Sequence, residues 1–193
     1  MDGERLCGIV LAAGAGTRFG GPKGLARTPD GEPWTGLAVR MLVAAGCDEV
    51  LVAVGAAADE VAALVPAPAR AVRVADWDDG LSASVRAALA CAAATAAHAA
   101  VLTPVDTPDA PPEAVRRLVA AASPGSAVGL DGALVRAVYG GRPGHPVLVG
   151  RAHWAALADG LAGDRGAGPY LAAHGATAVE CGDLWAGTDV DRR

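Results

Sequence analysis

The sequence predicts an α/β fold in which one mostly parallel sheet carries helices on both faces, together with a small antiparallel part. Strand-like apolar segments alternate with helix-like segments over the first 122 residues, which is the pattern of a parallel sheet covered by helices. The apolar 52% of the 193 residues is mainly Ala and Val, and aromatic residues make up only 4%, which suits closely packed layers. Since a chain of this length buries about 70% of its unfolded surface, we expect one domain over residues 1–193.

The first part of the chain contains four predicted strands and four predicted helices. Strands are expected at 6–13, 49–55, 71–75 and 99–103, and helices at 34–45, 57–65, 81–97 and 112–122. Gly46 and Pro66 mark the ends of the first two helices, because glycine favours a helix C-terminus and proline cannot continue a helix.

Beyond residue 122 the predicted elements become shorter. Strands are expected at 127–130, 134–139 and 146–149, as an appended antiparallel part. Glycine-rich loops are expected at 140–144 and 163–168, and the second leads into a short helix that ends near Gly175. A last strand at 176–181 precedes a tail that contains Asp189-Val190-Asp191.

Composition excludes several classes of protein. The net charge of −5 and the lack of a basic cluster argue against nucleic-acid binding, which depends on neutralising phosphates. The four cysteines, at positions 7, 47, 91 and 181, lack metal-site spacing and indicate small core residues in a reducing compartment. No basic segment precedes an apolar one at the start, and the Ala-rich run 87–100 is too short to span a bilayer, so we expect a cytoplasmic protein without membrane contact.

A glycine-rich loop, LAAGAGTRFGGPK at 11–23, follows the first predicted strand. Its glycines allow positive φ and close backbone approach, so N–H groups can point at phosphate oxygens while Arg18 and Lys23 supply countercharge. The loop is no P-loop, because Gly24 and Leu25 follow the lysine, and no dinucleotide fingerprint, because no carboxylate ends the second strand. It predicts a site for a nucleoside triphosphate; the alternative is an ordinary glycine-rich turn.

Three aspartates are candidate metal ligands. Asp106 follows a strand end, where ligands bind in open α/β sheets, and the flanking prolines stiffen its loop. Such a carboxylate suits Mg²⁺, which takes one or two carboxylates besides water and substrate phosphates; the alternative is a helix cap. Strand-like alternation would bring Asp189 and Asp191 to one face, around a cation; the alternative is a solvated tail.

Two further groups of residues are candidates for binding. Gly80, Ser82 and Ser84 stand at a predicted helix start and would line a base or ribose pocket, although Ser82 is equally an N-cap candidate. Compact loops offer polar side chains that could contact an acceptor, namely Arg142, His145, Asp164 and Arg165. His145 is equally a candidate for a structural role.

Taken together, these motifs resemble the MobA-like nucleotidyltransferases, in particular molybdenum cofactor cytidylyltransferases. The resemblance is carried by LAAGAGTRFGGPK (11–23), GLSAS (80–84), TPVDTP (103–108), GRPGHPVLVGR (141–151), GDRGAG (163–168) and DVD (189–191). They follow the family's order over nearly the whole chain. The resemblance implies a single Rossmann-like nucleotidyltransferase domain that transfers a nucleoside monophosphate from an NTP, expected to be CTP, to molybdopterin with release of pyrophosphate.

The resemblance also implies roles for individual residues. Arg18, Lys23 and Asp106 would be catalytic, and Asp106 would hold Mg²⁺ with Asp189 or Asp191. The nucleotide-binding residues expected on this basis are Leu11, Ala12, Ala13, Gly14, Ala15, Gly16, Thr17, Arg18, Lys23, Gly80, Ser82 and Ser84. A molybdoenzyme would receive the product.

The sequence departs from the family's pattern at two places and leaves alternatives open. Gly24-Leu25-Ala26-Arg27 stands where relatives have an apolar run, and Arg192-Arg193 stands where they have a Thr-Pro-acidic segment. The alternatives are transfer to another small phosphorylated acceptor, an NAD(P)H-dependent oxidoreductase of the nicotine-blue type, and a non-catalytic carrier of the molybdenum cofactor.

Overall fold

The computed structural model describes residues 4–122 and 129–191, which form a single α/β domain. In these residues the strands are β1 (Leu6–Leu11), β2 (Glu49–Val54), β3 (Arg70–Arg73), β4 (Ala99–Pro104), β5 (Leu134–Tyr139), β6 (Arg142–Gly150) and β7 (Thr177–Glu180). The helices are α1 (Trp34–Ala44), α2 (Ala58–Ala62), α3 (Leu81–Ala93), α4 (Pro112–Ala122), α5 (Trp154–Gly160) and α6 (Gly168–Ala173). No helix of the described residues is long and apolar enough to cross a membrane.

All seven strands belong to one sheet, in the order β3-β2-β1-β4-β6-β5-β7. The pairs β1–β2, β1–β4, β2–β3 and β5–β7 are parallel, whereas β6 runs antiparallel to both β4 and β5. The predicted antiparallel part is therefore built into the main sheet instead of being appended to it. Because β6 runs in the opposite direction, its first residues lie at the same edge as the carboxyl ends of β1 and β4.

Both faces of the sheet are buried, as expected for parallel strands covered by helices. On one face α1 and α4 pack against the sheet, and on the other α3, α5 and α6 do so. Side chains of β1 alternate between the two faces: Val10 packs with the α1 and α4 side, and Ile9 packs with the side of α3, α5 and α6. At Gly8 a Cβ atom would lie 2.9 Å from Leu42 Cδ1, so α1 rests directly on the backbone of β1.

Two predicted helices are shorter than expected. Helix α3 ends at Ala93 instead of residue 97, because the hydroxyl of Thr95 donates to the Ala92 carbonyl (2.7 Å) and accepts the Ala97 N–H (3.1 Å), which turns the chain towards β4. Helix α2 covers Ala58–Ala62 instead of 57–65, and the chain continues from it in tighter turns.

The prediction was wrong at three places after residue 122. Of the predicted loop 140–144, only Gly140 and Gly141 form a turn, with φ of 59° and 76°, and β6 begins at Arg142. A strand was predicted at 127–130, but residues 129 and 130 form a turn. Residues 127 and 128 lie outside the described part of the chain. Helix α5 was not predicted; it buries Trp154 and Leu157 against the sheet.

Candidate active site

The loop after β1 folds into a tight bend around Gly16. This residue has φ of +60°, and its carbonyl accepts the N–H groups of Phe19, Gly20 and Gly21 at 2.9, 3.0 and 3.1 Å. A Cβ atom on Gly16 would lie 2.0 Å from the Gly21 carbonyl oxygen, so only glycine fits this position. The bend presents the loop backbone at the carboxyl end of β1.

Lys23 is positioned by packing on both sides of it. Phe19 is buried against Trp34, with ring centroids 5.4 Å apart. Gly24 approaches helix α2 so closely that a Cβ atom would lie 2.8 Å from Val61 Cγ1, and its carbonyl accepts the Thr35 hydroxyl at 2.8 Å. The glycine after the lysine therefore lets this segment pack directly on α2.

Lys23 lies between two carboxylates. Its Nζ donates to Asp106 Oδ2 at 2.7 Å and to Asp191 Oδ1 at 3.0 Å. Partial burial lowers the pKa of Lys23, but the hydrogen bonds to both aspartates outweigh it and raise the pKa above its usual range. Lys23 therefore carries its positive charge at neutral pH.

Asp106 follows β4 in a short turn at the same edge of the sheet. The Val105 N–H donates to the Leu11 carbonyl at 3.1 Å, which joins this turn to the end of β1. The Thr107 hydroxyl donates to the Pro104 carbonyl at 3.0 Å. Helix α4 begins only at Pro112, so Asp106 is not its cap.

The acidic tail reaches the same place without forming a strand. The Val190 N–H donates to the Asp106 carbonyl at 2.9 Å, and Asp191 pairs with Lys23. Burial, followed by the negative charges of Asp106 and Asp191, raises the pKa of Asp189. The three predicted aspartates therefore converge, and they do so through backbone contact with the β4 turn and not through strand alternation.

Contacts that sequence reasoning missed hold the segment before this tail. The Glu180 carboxylate accepts the N–H groups of Gly140 and Gly141 at 3.0 and 3.2 Å. Arg117 on α4 donates to both carboxylate oxygens of Asp183, at 2.5 and 2.9 Å. These partners are far apart in the chain, so no local pattern in the sequence could have indicated them.

The chemistry of Asp106 fits a divalent cation. Oδ2 of Asp106 accepts a hydrogen bond from the Lys23 ammonium, whereas Oδ1 is buried and has no hydrogen-bond partner among the described residues. Buried polar atoms are normally satisfied, so an unpaired carboxylate oxygen marks the place of a missing donor or cation. No group of three or more His, Cys, Asp or Glu residues in the described chain could hold a metal ion, but Mg²⁺ needs only one or two carboxylates beside water and phosphates.

Three adjoining cavities lie along this edge of the sheet. The central cavity, about 500 Å³, is lined by the glycine-rich loop, Arg18, Lys23, Asp106 and Asp189. The helix cavity, about 360 Å³, lies at the start of α3, and the hairpin cavity, about 340 Å³, lies beside the start of β6. The central cavity shares Leu81 with both neighbours, so the three form one groove.

Most residues expected to bind nucleotide line this groove. Leu11, Ala12, Ala13, Gly14, Ala15, Gly16, Arg18, Lys23, Gly80 and Ser84 line the central or the helix cavity. Thr17 is exposed, and neither it nor the buried Ser82 is among the lining residues of the three cavities. Trp77, which also lines the helix cavity, was missed, although it stands only three positions before Gly80 in the sequence.

The start of α3 is shaped by a close loop contact. Gly80, with φ of +105°, occupies the N-cap position, so Ser82 is not the cap. A Cβ atom on Gly80 would lie 2.6 Å from Asp164 Oδ1, and the Ser82 N–H donates to the Gly163 carbonyl at 3.0 Å. The loop after α5 therefore packs onto the helix start and forms part of the cavity wall.

The four residues expected to contact an acceptor are divided by the structure. Asp164 lines the helix and central cavities, and His145 lines the central and hairpin cavities. Arg142 and Arg165 are exposed and are not among the residues that line the three cavities. Two of the four residues expected together therefore line the groove, and two do not.

His145 lies where the central and hairpin cavities meet. Its carbonyl accepts the Tyr139 hydroxyl at 2.6 Å, which fixes the backbone at the start of β6. Its Nδ1 is buried and finds no hydrogen-bond partner in the described chain. Burial lowers the pKa of His145, although the Asp106 carboxylate opposes this, so the imidazole is neutral at pH 7.

Comparison with known proteins identifies the family. The profile of the MobA-like NTP transferase domain matches residues 8–178, almost the whole described chain. The chain belongs to the MobA-like NTP transferase family. It is also similar to the nicotine blue oxidoreductase of Paenarthrobacter nicotinovorans, with 33% identity over 195 residues that cover 96% of this chain and 92% of the relative.

Solved structures agree with this assignment of the MobA-like fold. Rv0371c from Mycobacterium tuberculosis H37Rv, solved in complex with manganese, matches with a TM-score of 0.68 and 27% identity over 92% of this chain and 87% of that chain. A nucleotidyl transferase from Methanothermobacter thermautotroptrophicus, Mth528, shares the fold with a TM-score of 0.78 and 21% identity over 98% and 93% of the two chains. As a member of the MobA-like NTP transferase family, the protein is a nucleotidyltransferase that acts on small-molecule substrates.

Proposed function

We propose that this protein transfers CMP from CTP to molybdopterin in the cytoplasm, with release of pyrophosphate, and passes the product to a molybdoenzyme. The observation that carries the proposal is the pair formed by Lys23 and Asp106, 2.7 Å apart, at the wall of a cavity that the glycine-rich loop also lines. A triphosphate needs cationic groups and loop N–H groups at one place, and this cavity offers both.

The proposed reaction assigns one part of the substrates to each of the three cavities. The helix cavity would hold cytosine and ribose against the backbone of residues 13–15, with Gly80 and Ser84 at its edge. The central cavity would hold the triphosphate, with Arg18 and Lys23 along it. The hairpin cavity would hold the acceptor, because it adjoins the central cavity at His145 and Asp189.

The chemistry is a displacement at the α-phosphorus of CTP. An oxygen of the acceptor phosphate forms a new P–O bond, and the bond from the α-phosphorus to the bridging oxygen breaks, so pyrophosphate leaves with that electron pair. No covalent enzyme intermediate is required. Arg18 and Lys23 stabilise the charge on the leaving pyrophosphate, and the loop holds the reactants in line.

Asp106, with Asp189 or Asp191, would hold the Mg²⁺ that we propose for this reaction. The unpaired Asp106 Oδ1 supports this assignment, as does the similarity to the manganese complex of Rv0371c. When bound, the ion neutralises charge on the phosphoryl oxygens. Lys23 must exchange one of its carboxylate partners for phosphate when the nucleotide enters.

The test uses CTP labelled at the α-phosphate, Mg²⁺ and purified molybdopterin. We expect the label to move to molybdopterin, with one pyrophosphate released per product, and the Asp106→Asn variant to lose this transfer. Parallel reactions with a sugar phosphate as acceptor test transfer to another phosphorylated compound. Transfer to the sugar phosphate alone, or binding of the dinucleotide product without pyrophosphate release, would contradict the proposal; the second result would indicate a carrier of the cofactor.

The similarity to nicotine blue oxidoreductase gives a second candidate function, NAD(P)H-dependent reduction. Strand β2 ends at Val54 and is followed by Gly55-Ala56-Ala57, so it lacks the carboxylate that binds the ribose of NAD in a dinucleotide fold. Oxidation of NADPH without any nucleotidyl transfer would favour this second function.

A further inference from the structure

Two buried polar atoms of the central cavity have no partner in the fold. They are Asp106 Oδ1 and His145 Nδ1, and each is shielded from solvent and finds no hydrogen-bond partner in residues 4–122 and 129–191. Both residues line the central cavity, and the Asp106 carboxylate acts electrostatically on His145. Native proteins satisfy nearly all such atoms, so two unpartnered atoms on residues that line one cavity indicate a group missing from that cavity.

We propose that His145 Nδ1 joins Asp106 Oδ1 as a ligand of the divalent cation assigned above to the aspartates, and that this nitrogen ligand shifts the preference of the site from Mg²⁺ towards transition metals. The inference rests on the proposed function only in that it concerns the ion used in nucleotidyl transfer. It assigns His145 to the metal instead of to the acceptor.

The other contacts of the two residues leave these atoms available. Asp106 Oδ2 is occupied by Lys23 at 2.7 Å, so Oδ1 is the oxygen left for a cation. The backbone of His145 is fixed by the Tyr139 hydroxyl at 2.6 Å. Gly144 packs tightly on the Tyr139 ring and holds the same segment, since a Cβ atom on Gly144 would lie 2.7 Å from Tyr139 Cδ2. A ligand held by its backbone is preorganised for an ion.

The ligand types determine which ion is preferred. Mg²⁺ prefers oxygen ligands and keeps several waters. Imidazole nitrogen suits transition metals such as Fe²⁺, Ni²⁺ and Zn²⁺, and affinity at a mixed nitrogen and oxygen site rises from Mn²⁺ along that series. One carboxylate oxygen and one imidazole nitrogen, completed by water and phosphate oxygens, therefore form a site for a transition metal, and Mn²⁺ is the member of the series used as the probe.

The rival explanation is a direct hydrogen bond. If His145 Nδ1–H donated to Asp106 Oδ1, both atoms would be satisfied without a cation. In that case His145 positions the carboxylate but does not touch the ion. The two explanations differ in whether nitrogen lies in the coordination sphere, which can be measured without assaying activity.

The experiment is pulsed electron paramagnetic resonance on the full chain with Mn²⁺, alone and together with CTP. Electron spin echo modulation detects nitrogen bound directly to Mn²⁺, and protein labelled with ¹⁵N-histidine shows whether the nitrogen belongs to imidazole. The variants are His145→Ala and, as the matched control, His174→Ala, which removes an exposed imidazole that stacks on Tyr170. Thermal unfolding checks that both variants are folded, and His145→Gln serves if His145→Ala is not.

We expect ¹⁴N modulation in the wild type that changes on ¹⁵N-histidine labelling, disappears in the His145 variant and persists in His174→Ala. Calorimetry should show Mn²⁺ affinity falling at least about tenfold in the His145 variant, the scale on which loss of a supporting group affects metal sites, while Mg²⁺ affinity changes less. Mn²⁺ that binds through Asp106 without nitrogen modulation, or no bound Mn²⁺, would overturn the inference. The first of these results leaves the proposed nucleotidyl transfer intact, and failure of CMP transfer would leave the nitrogen signal unaffected.

Discussion

Replacing Lys23 with methionine should weaken the binding of a triphosphate much more than that of a monophosphate. The change removes the charge but keeps an unbranched apolar stem in a position where the side chain is only 17% exposed. In the proposed arrangement Lys23 contacts the phosphates that CTP has and CMP lacks. The difference between the two affinities therefore isolates the role of Lys23 from any effect on the base.

The magnitude follows from the partners of Lys23. A hydrogen bond from a charged group contributes about 1.5–3 kcal/mol. Part of this is offset because Lys23 gives up Asp191, whose side chain is 72% exposed and whose ion pair is worth about 0–1 kcal/mol. The net loss on Lys23→Met is about 2 kcal/mol, or about 30-fold in CTP affinity, with CMP affinity changed less than about twofold.

The assay is isothermal titration calorimetry with CTP and CMP on the wild type, Lys23→Met and Arg27→Met. Arg27 is the matched control, because its side chain is exposed and donates to the nearby Gly31 carbonyl, yet its loss changes the net charge equally. Turnover in Lys23→Met should fall by about 10²–10³-fold, as on loss of a preorganised donor. Equal losses for CTP and CMP, or the same effect in Arg27→Met, would refute this role for Lys23.

Three other experiments have expected outcomes. Gly16→Ala should lower both thermal stability and CTP affinity, because the φ of Gly16 is +60° and the new Cβ would lie 2.0 Å from the Gly21 carbonyl oxygen. The control is Gly14→Ala, whose new Cβ would meet nothing within 4 Å and should leave the melting temperature unchanged. Equal melting temperatures for the two variants would contradict the described loop. Burial raises the pKa of Cys7 and of Cys47 to about 12, so both thiols stay protonated in the fold. The ordinary thiol pKa is 9.0, so the contribution of the two protonated thiols to stability is complete below pH 9 and is lost as the pH rises towards 12. Urea unfolding should therefore give a lower free energy of unfolding at pH 10.5 than at pH 8. At pH 8 a thiol reagent should modify the partly exposed Cys91 first; rapid labelling of Cys7 or Cys47 would contradict their burial.

Local patterns in the sequence were sufficient for the core of the fold. The apolar runs of β1, β2 and β4 predicted buried parallel strands, and the glycines around Gly16 predicted a loop that needs positive φ. Asp106 was predicted at a strand end because the order of elements places it there. Each of these features depends on neighbours in the chain, so the sequence contains the information directly.

Features that depend on distant contacts could not be predicted in this way. The insertion of β6 between β4 and β5 is decided by pairing across the sheet, and no local pattern reports it. The end of α3 depends on the Thr95 hydroxyl, which competes with helical hydrogen bonds. The tail reaches Asp106 through Val190 and is held upstream by Glu180, contacts between segments that the chain separates widely.

The same limit applies to the candidate site. Arg142 and Arg165 were grouped with His145 because all three stand in polar loops, but only His145 lines the groove. Side-chain direction in a hairpin follows from strand register, and Arg142 pairs opposite Tyr139 beside the turn. The sequence reveals residue type and spacing, whereas the register that separates these side chains is set by the folded sheet.

The most direct test of the proposed nucleotide and cation site is a calorimetric panel of CTP, GTP, ATP, UTP and NADPH, each with and without a divalent cation, on the wild type and Asp106→Ala. We expect cation-dependent binding with a preference for CTP, lost in Asp106→Ala because this variant lacks the carboxylate that pairs with Lys23 and that we propose as the cation ligand. Binding of NADPH alone, or CTP binding that is unchanged in Asp106→Ala, would contradict the proposed site and its chemistry.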